Sequence, residues 1–254
     1  MTKLKYIQTT SVGIDHLPLD IVLKNNIKVA NNRGGYSVPI SEWIVMYILQ
    51  IYKNSFKLYD QQKQKKWKVN TIATELTDKK IGFIGTGTIS TEAAKRLKAF
   101  GVEIWGVNTN GRDTAYFDKC FSNKEMDEVF SKCDVIISAM PSTKETIGMI
   151  NKSKFDIMKQ GSVFINIGRG DLVNQTDLEN CIDKFRGVAL DVFEQEPLPS
   201  ESKLWECENV IITPHNSWLS DKNKQRNLEM IYNNLKNYIE GKPLNNLMDI
   251  NRGY

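Results

Sequence analysis

Apolar positions in this chain follow two different periods. From Ile40 to Tyr59 they recur every three or four residues, and further apolar side chains fill the opposite side. This pattern predicts one long helix that is buried on most of its circumference. The chain then becomes polar from Asp60 to Lys66, and we expect this segment to link two domains.

Short apolar runs farther along the chain predict strands. Each run is four to six residues long, and the stretches between them suit helices and turns, as a doubly wound parallel sheet requires. The predicted strands are Ile81 to Ile84, Val102 to Val107, Asp134 to Ala139, Ser162 to Ile167, Gly187 to Val192 and Asn209 to Thr213. Polar or charged residues follow these strands, and in an open α/β sheet the carboxyl ends of the strands face one ligand-binding crevice.

Weaker patterns at the two ends of the chain predict a second, smaller group of elements. Strands are expected at Leu4 to Thr9 and Ile27 to Ala30, with a short helix at Leu19 to Lys24 between them. A last helix is expected from Asp221 to Glu240.

Two glycines follow the first strand of the main sheet, in the segment Gly85-Thr86-Gly87-Thr88-Ile89-Ser90. Gly85 can take a tight turn, Gly87 lets the backbone approach a phosphate, and the first amides of the following helix attract an anion. Ser90 stands where a third glycine is usual, and it is small enough to pack against the strand. A dinucleotide seat is therefore predicted, against the alternative of an ordinary strand-to-helix turn.

The end of the second strand bears on the choice of cofactor. Asn108 lies 23 positions after Gly85, about where such folds bind the adenosine ribose. An NAD site usually has Asp or Glu there, whereas this chain has Asn108 and Thr109, followed by Arg112. A 2′-phosphate would not be repelled and Arg112 could bind it, so we favour NADP over NAD. The alternative is that Arg112 is merely solvated.

Composition narrows the classes of partner. With 254 residues, 41% of them hydrophobic, the chain can bury one large core or two modest ones. A formal charge of +4, from 34 basic and 30 acidic residues, is too small to predict nucleic-acid binding. The four cysteines lie far apart, so we expect neither a metal site nor a disulfide framework. No signal core or membrane-spanning stretch is present, which predicts a cytoplasmic protein without a membrane partner.

Three residues at different strand ends carry the candidate chemistry: Arg169, Glu196 and His215. Singly, such residues are more often surface ion pairs or satisfied core residues. Together they fit reduction of a 2-keto acid, because a protonated His215 can donate to the alkoxide that hydride transfer leaves. A carboxylate such as Glu196 favours the imidazolium, and the planar fork of Arg169 suits a substrate carboxylate.

The sequence resembles the D-isomer-specific 2-hydroxyacid dehydrogenase family from Tyr6 to Tyr254. The segments that carry the resemblance are Gly85-Thr86-Gly87, Asn166-Ile167-Gly168-Arg169-Gly170, Ala189 to Pro197 and Thr213-Pro214-His215. It implies that Arg169 holds the substrate carboxylate and polarises the carbonyl, that Glu196 orients the imidazole, and that His215 is the acid/base. The cofactor-binding residues then expected are Gly85, Thr86, Gly87, Thr88, Ile89, Asn108, Thr109, Arg112, Pro141, Ile167 and Asp191, with Asp191 near the nicotinamide amide.

The resemblance also implies an architecture, a Rossmann-type doubly wound parallel sheet plus an incomplete flavodoxin-like substrate domain. We expect a partial substrate domain at residues 1–40, a nucleotide-binding domain at 41–220 and a returning helix at 221–254. Backbone amides of Val12 and Gly13 would meet the substrate carboxylate. Family members ordinarily begin with further elements before the point matching Leu4, so activity of the shortened chain is open, and no regulatory domain is expected after the last helix.

The expected partners are a small 2-keto or 2-hydroxy acid and a second copy of the chain. In the family's usual dimer, the helix matching Ile40 to Tyr59 packs against its two-fold mate. Glyoxylate, hydroxypyruvate and a branched keto acid all remain open as substrates, and Trp218 and Leu219 favour a non-phosphorylated ligand. Two alternatives remain: a nucleotide-binding sensor without turnover, and another Rossmann enzyme such as a methyltransferase, which would not need the three polar residues.

Overall fold

The structure is a computed structural model that describes residues 3–14, 17–69 and 71–250. The chain divides into two compact units. The larger unit comprises residues 39–217, and the smaller comprises residues 1–38 together with 218–254. No helix within the described ranges has the length and apolar character needed to cross a bilayer.

A seven-stranded parallel sheet forms the centre of the larger unit. Its strands in chain order are β3 (Lys80–Ile84), β4 (Glu103–Asn108), β5 (Lys119–Ser122), β6 (Val135–Ser138), β7 (Val163–Asn166), β8 (Gly187–Leu190) and β9 (Val210–Ile212). In space the order is β5-β4-β3-β6-β7-β8-β9, so the chain reverses direction across the sheet between β3 and β6. Such a switch point is where ligands bind in open α/β sheets.

The apolar runs located six of these strands correctly, and each observed end lies within two residues of its expected position. Continuous apolar runs mark strands that are buried on both faces, as β6, β7 and β8 are along their whole length. The seventh strand, β5, was not predicted. It pairs with β4 at the sheet edge and is only partly buried, so its sequence lacks a continuous apolar run.

Helices connect successive strands along the chain and cover the two faces of the sheet. Their bounds in this unit are α2 (Ser37–Lys53), α3 (Ser55–Lys63), α4 (Thr88–Leu97), α5 (Met126–Lys132), α6 (Lys152–Ile157) and α7 (Gln175–Asn180), with α2 starting two residues before the unit does. The alternation of parallel strands and helices confirms the predicted Rossmann-type fold.

The single helix predicted from Ile40 to Tyr59 is wrong. Asn54 has a left-handed backbone, with φ of 51°, and this conformation ends α2 and begins α3. Asparagine tolerates that conformation better than most residues, and periodicity alone does not reveal it. Burial is also less complete than expected, because one face of α2 is buried through Ile44 and Ile48 while Met46 on another face is only partly buried.

In its described residues, the smaller unit contains a two-stranded parallel sheet and two helices. Its elements are β1 (Tyr6–Gln8), α1 (Leu19–Lys24), β2 (Lys28–Ala30) and α8 (Asn223–Ile239). Their core includes Ile14, Val22, Ile27 and Val29. Asn234 of α8 is fully buried, and its amide donates to the side chain of Gln8 and to the carbonyl of Asn245. This polar pairing fixes α8 against β1, since a buried amide without partners would be costly.

Candidate active site

The glycine turn lies at the carboxyl end of β3, beside the switch point of the sheet. Gly85 has φ of +104°, and a Cβ there would lie 2.9 Å from the carbonyl oxygen of Ala139, so only glycine fits. Gly87 differs, because its backbone suits any residue and a Cβ would meet nothing within 4 Å. The turn therefore leaves open space directly before α4, whose first amides form an anion-binding end.

The residues around this opening fit a dinucleotide phosphate. Thr88 and Ile89 stand in the first turn of α4, where backbone amides have no acceptor within the helix. Ser90 is completely buried, which agrees with the packing expected of a small third residue. Thr86 is mostly buried, and its hydroxyl oxygen accepts hydrogen bonds from Asn108 and Thr114.

Asn108 closes the loop that follows β4. Its amide nitrogen donates to the carbonyl oxygen of Arg112 at 2.8 Å, and its amide oxygen accepts from the Arg112 backbone amide at 3.0 Å. Asn108 therefore shapes the loop, a role that the sequence pattern did not suggest. The side chains of Thr109 and Arg112 are exposed on the same loop, where a ribose or its phosphate could contact them.

Two more loops meet at the neighbouring strand ends. Pro141 follows β6 and is exposed, while Ile167 follows β7 and is buried. A Cβ on Gly168 would come within 2.8 Å of the Met140 carbonyl oxygen, so the two turns are in backbone contact. Pro141 and Ile167, both predicted to bind the cofactor, therefore lie at the carboxyl edge of the sheet.

Glu196 and His215 are in direct contact although they follow different strands. The distance between His215 Nδ1 and Glu196 Oε2 is 2.8 Å. The other carboxylate oxygen of Glu196 accepts a hydrogen bond from the Phe193 backbone amide at 3.1 Å, which fixes the carboxylate. The two side chains are both partly exposed, so a substrate could reach the imidazole.

Arg169 lies in a loop that packs against the loop of Glu196. Its backbone carbonyl accepts a hydrogen bond from Asn166, and its guanidinium donates to the Gly168 carbonyl. A Cβ on Gly170 would overlap the Phe193 carbonyl, so glycine is what lets these two loops touch. Arg169 and Glu196 are thus carried by backbones in mutual contact.

Asp191 holds the segment that carries His215. The resemblance implies that Asp191 lies near the nicotinamide amide, which stays a prediction. In the structure its buried carboxylate accepts hydrogen bonds from residues on both sides of His215. The donors are the Thr213 hydroxyl at 2.6 Å, the Asn216 amide at 3.0 Å and the Ser217 hydroxyl at 2.5 Å. Sequence reasoning missed these contacts, and the only available signal was a carboxylate directly after a buried strand.

Val12 and Gly13 belong to the smaller unit. The Val12 carbonyl accepts from the side chain of Asn31 at 2.7 Å, and the Gly13 carbonyl accepts from the Ser11 hydroxyl at 2.8 Å. Both carbonyls are therefore held by hydrogen bonds within that unit, which gives the loop a defined backbone.

The chain is similar to known oxidoreductases. A family profile described as "D-isomer specific 2-hydroxyacid dehydrogenase, NAD binding domain" matches residues 45–217. The glyoxylate reductase/hydroxypyruvate reductase of Homo sapiens is 33% identical over 95% of this chain and 76% of its own length.

Solved structures show the same similarity. A probable 2-hydroxyacid dehydrogenase from Rhizobium etli, in complex with NADP, HEPES and tartaric acid, has a TM-score of 0.88 at 28% identity, over 99% of this chain and 80% of its own. An NADPH-dependent glyoxylate/hydroxypyruvate reductase from Sinorhizobium meliloti, in complex with NADP and sulfate, has a TM-score of 0.87 at 26% identity, with the same two coverages.

The open space before α4 yields a test of the phosphate seat. We predict that Gly87→Ala changes the free energy of unfolding by less than about 1 kcal/mol, because its Cβ meets no protein atom. The same Cβ would fill the space that a pyrophosphate needs, so NADPH affinity should fall by about tenfold or more, which is about 1.4 kcal/mol. Fluorescence titration measures the affinity, and thermal unfolding measures stability.

Gly161→Ala is the matched control, since its Cβ also meets nothing within 4 Å but lies before β7, at the opposite edge of the sheet. This variant should bind NADPH normally, although the left-handed φ of 73° should cost some stability. Unchanged NADPH affinity in Gly87→Ala would show that no phosphate lies against this turn.

Proposed function

The chain belongs to the D-isomer-specific 2-hydroxyacid dehydrogenase family, and from that premise we propose that it reduces a 2-keto acid to the D-2-hydroxy acid with NADPH. Membership identifies an NAD(P)-dependent oxidoreductase. The observation that carries the catalytic proposal is the 2.8 Å contact between His215 Nδ1 and Glu196 Oε2. It joins an imidazole to a carboxylate at the strand edge where the glycine turn opens.

His215 would act as the proton donor. With Nδ1 hydrogen-bonded to Glu196, the proton to be transferred sits on Nε2 of the imidazolium. The carboxylate fixes the ring orientation and stabilises the positive charge, while the Phe193 amide keeps the carboxylate in place. Protonation of the developing alkoxide by Nε2 completes the reduction, and Glu196 remains ionised throughout.

Arg169 would bind the carboxylate of the substrate. A guanidinium offers paired donors in one plane, which matches the two oxygens of a carboxylate better than an ammonium does. The same positive charge would draw electrons from the adjacent keto carbonyl. Because Gly170 packs on Phe193, the backbone that carries Arg169 is held beside the loop of Glu196. The backbone amides of Val12 and Gly13 stay a prediction of the resemblance as substrate contacts.

The residues present also fit the cofactor. The nicotinamide, when bound, supplies the hydride. Gly87 and the first amides of α4 would hold the pyrophosphate, with Gly85 and Thr86 shaping the turn. Thr109 and Arg112 would meet the ribose and its 2′-phosphate, and the NADP held by two similar structures supports this preference. Glyoxylate and hydroxypyruvate are the first substrates to examine, since similar proteins are named for reducing them.

We also propose a homodimer formed through α2. On the face of this helix away from the sheet, Val45, Met46 and Leu49 are partly exposed and line a shallow apolar depression with Arg96 of α4. A second copy of α2 would cover these side chains, and burying apolar area is what drives such association.

Replacement of His215 tests the acid/base role. We predict that His215→Ala lowers kcat for reduction of hydroxypyruvate or glyoxylate by about 100-fold or more, the usual worth of a positioned proton donor. NADPH affinity should stay close to that of the unaltered chain. Steady-state kinetics and a binding titration measure the two effects. Near-normal turnover in His215→Ala would remove His215 from the mechanism, and NADPH binding without any oxidation by the unaltered chain would favour a nucleotide sensor.

Replacement of Arg112 tests the cofactor preference. Arg112→Ala should lower kcat/KM for NADPH by about tenfold or more, because one charge-assisted contact to a phosphate is worth about 1.5–3 kcal/mol. The value for NADH should hardly change, since NADH lacks the 2′-phosphate. Lys57→Ala, which removes an exposed charge on α3, is the control and should leave both values unchanged. A clear preference of the unaltered chain for NADH would contradict the proposal.

A further inference from the structure

We propose that Tyr47 of α2 is a positioning residue for His215 and acts through Thr213. The Tyr47 hydroxyl lies 2.6 Å from Thr213 Oγ1, and Thr213 Oγ1 lies 2.6 Å from Asp191 Oδ1. Tyr47 and Asp191 are almost completely buried. This inference rests on the proposed function, because it concerns how His215 is held in the position proposed for proton donation.

The direction of these hydrogen bonds follows from the number of protons available. A threonine hydroxyl has one proton, and Thr213 donates it to the carboxylate of Asp191. The Tyr47 phenol must therefore be the donor to Thr213. Burial raises the pKa of Tyr47 well above its ordinary value, and the charge of Asp191 acts in the same direction, so the phenol stays protonated and able to donate.

The carboxylate of Asp191, the last acceptor in this series of hydrogen bonds, determines the backbone conformation around His215. Asp191 accepts hydrogen bonds from Thr213 before His215 and from the backbone amides of Asn216 and Ser217 after it. His215 itself has φ of 49°, a left-handed conformation that is uncommon for a residue with a Cβ. The amide of His215 bonds to the Thr213 carbonyl at 3.0 Å, which closes the turn.

Helix α2 is a rigid base for this arrangement. Ile44 and Ile48 of this helix are fully buried, and the ring centroid of Trp43 lies 5.5 Å from that of Tyr47. Thr213 is the link between this packed helix and the His215 turn. Without the phenol, the half-buried Thr213 hydroxyl oxygen loses its donor, and only the hydrogen bond to Asp191 still holds its rotamer. His215 would then spend less time against Glu196.

Conservative variants test the proposal kinetically. Tyr47→Phe and Thr213→Val each remove one hydroxyl while keeping the shape of the side chain. Each should lower kcat by about tenfold with little change in NADPH affinity. The double variant should lose no more kcat than the more impaired of the two single variants, because both hydroxyls belong to one series of hydrogen bonds. Thr213→Ser, which keeps the hydroxyl, should retain most activity.

Tyr52→Phe is the matched control, since Tyr52 is also buried on α2 but its ring contacts Arg186 instead. This variant should keep the kcat of the unaltered chain. Equal loss in Tyr52→Phe and Tyr47→Phe would mean that α2 matters only for stability, and independent, additive losses in the double variant would break the link between the two hydroxyls. Either result would overturn the proposal.

A second readout does not depend on activity. The chain has two histidines, so a carbon–proton correlation spectrum of the imidazole ε1 positions contains two signals, which the variant His16→Gln assigns. The His215 signal should be single and narrow in the unaltered chain and in Tyr52→Phe, and broadened or split in Tyr47→Phe and Thr213→Val. An unchanged His215 signal in both variants would overturn the proposal, even if the chain reduced none of the 2-keto acids offered.

Discussion

The contact between Glu196 and His215 depends on loops from three strands packing closely at one edge of the sheet. Gly170 allows the loop after β7 to touch the backbone of Phe193, and Phe193 in turn holds the carboxylate of Glu196. Asp191, directly after β8, holds the turn of His215 after β9. A parallel sheet brings the loops together, but backbone contacts and one buried carboxylate determine where the side chains stand.

The carboxyl edge of the sheet has two parts, one with open space and one filled by buried hydrogen bonds. On the side of β3 and β4, glycine leaves open space and helix amides face it, which suits a bound phosphate. On the side of β8 and β9, buried hydrogen bonds fill the space and fix the geometry of an imidazole. A cofactor site needs room, whereas an acid/base site needs a rigid support, and the sheet supplies both along one row of strand ends.

Much of this arrangement could be predicted from sequence. Continuous apolar runs located the buried strands because strands covered on both faces have few polar positions, and in β6 and β7 these lie at the strand end, at Ser138 and Asn166. The glycine turn was identifiable because a positive φ at Gly85 leaves few alternatives. Edge strand β5 was missed because a half-buried strand has no such run, and the break at Asn54 was missed because one left-handed residue does not disturb an apolar period.

The roles of individual polar residues were harder to predict. Both ends of the Asn108 side-chain amide hydrogen-bond to the Arg112 backbone, which depends on how the loop folds back, and the expected contact of Asn108 with a ribose stays a prediction. The carboxylate of Asp191 accepts hydrogen bonds from residues more than twenty positions away, and its expected place beside a nicotinamide stays a prediction. Hydrogen bonds between distant segments depend on tertiary structure, and sequence spacing does not encode them.

In the proposed reaction, a hydride moves from the cofactor to C2 of a 2-keto acid while the protein donates the proton. The most direct measurement follows the hydrogen itself, with hydroxypyruvate reduced by NADPH that carries deuterium at the transferable position of C4. The expected product is a D-2-hydroxy acid with one deuterium on C2, where a bond to carbon does not exchange with water. Oxidation of NADPH that leaves no deuterium on C2, or a product of the L configuration, would contradict it.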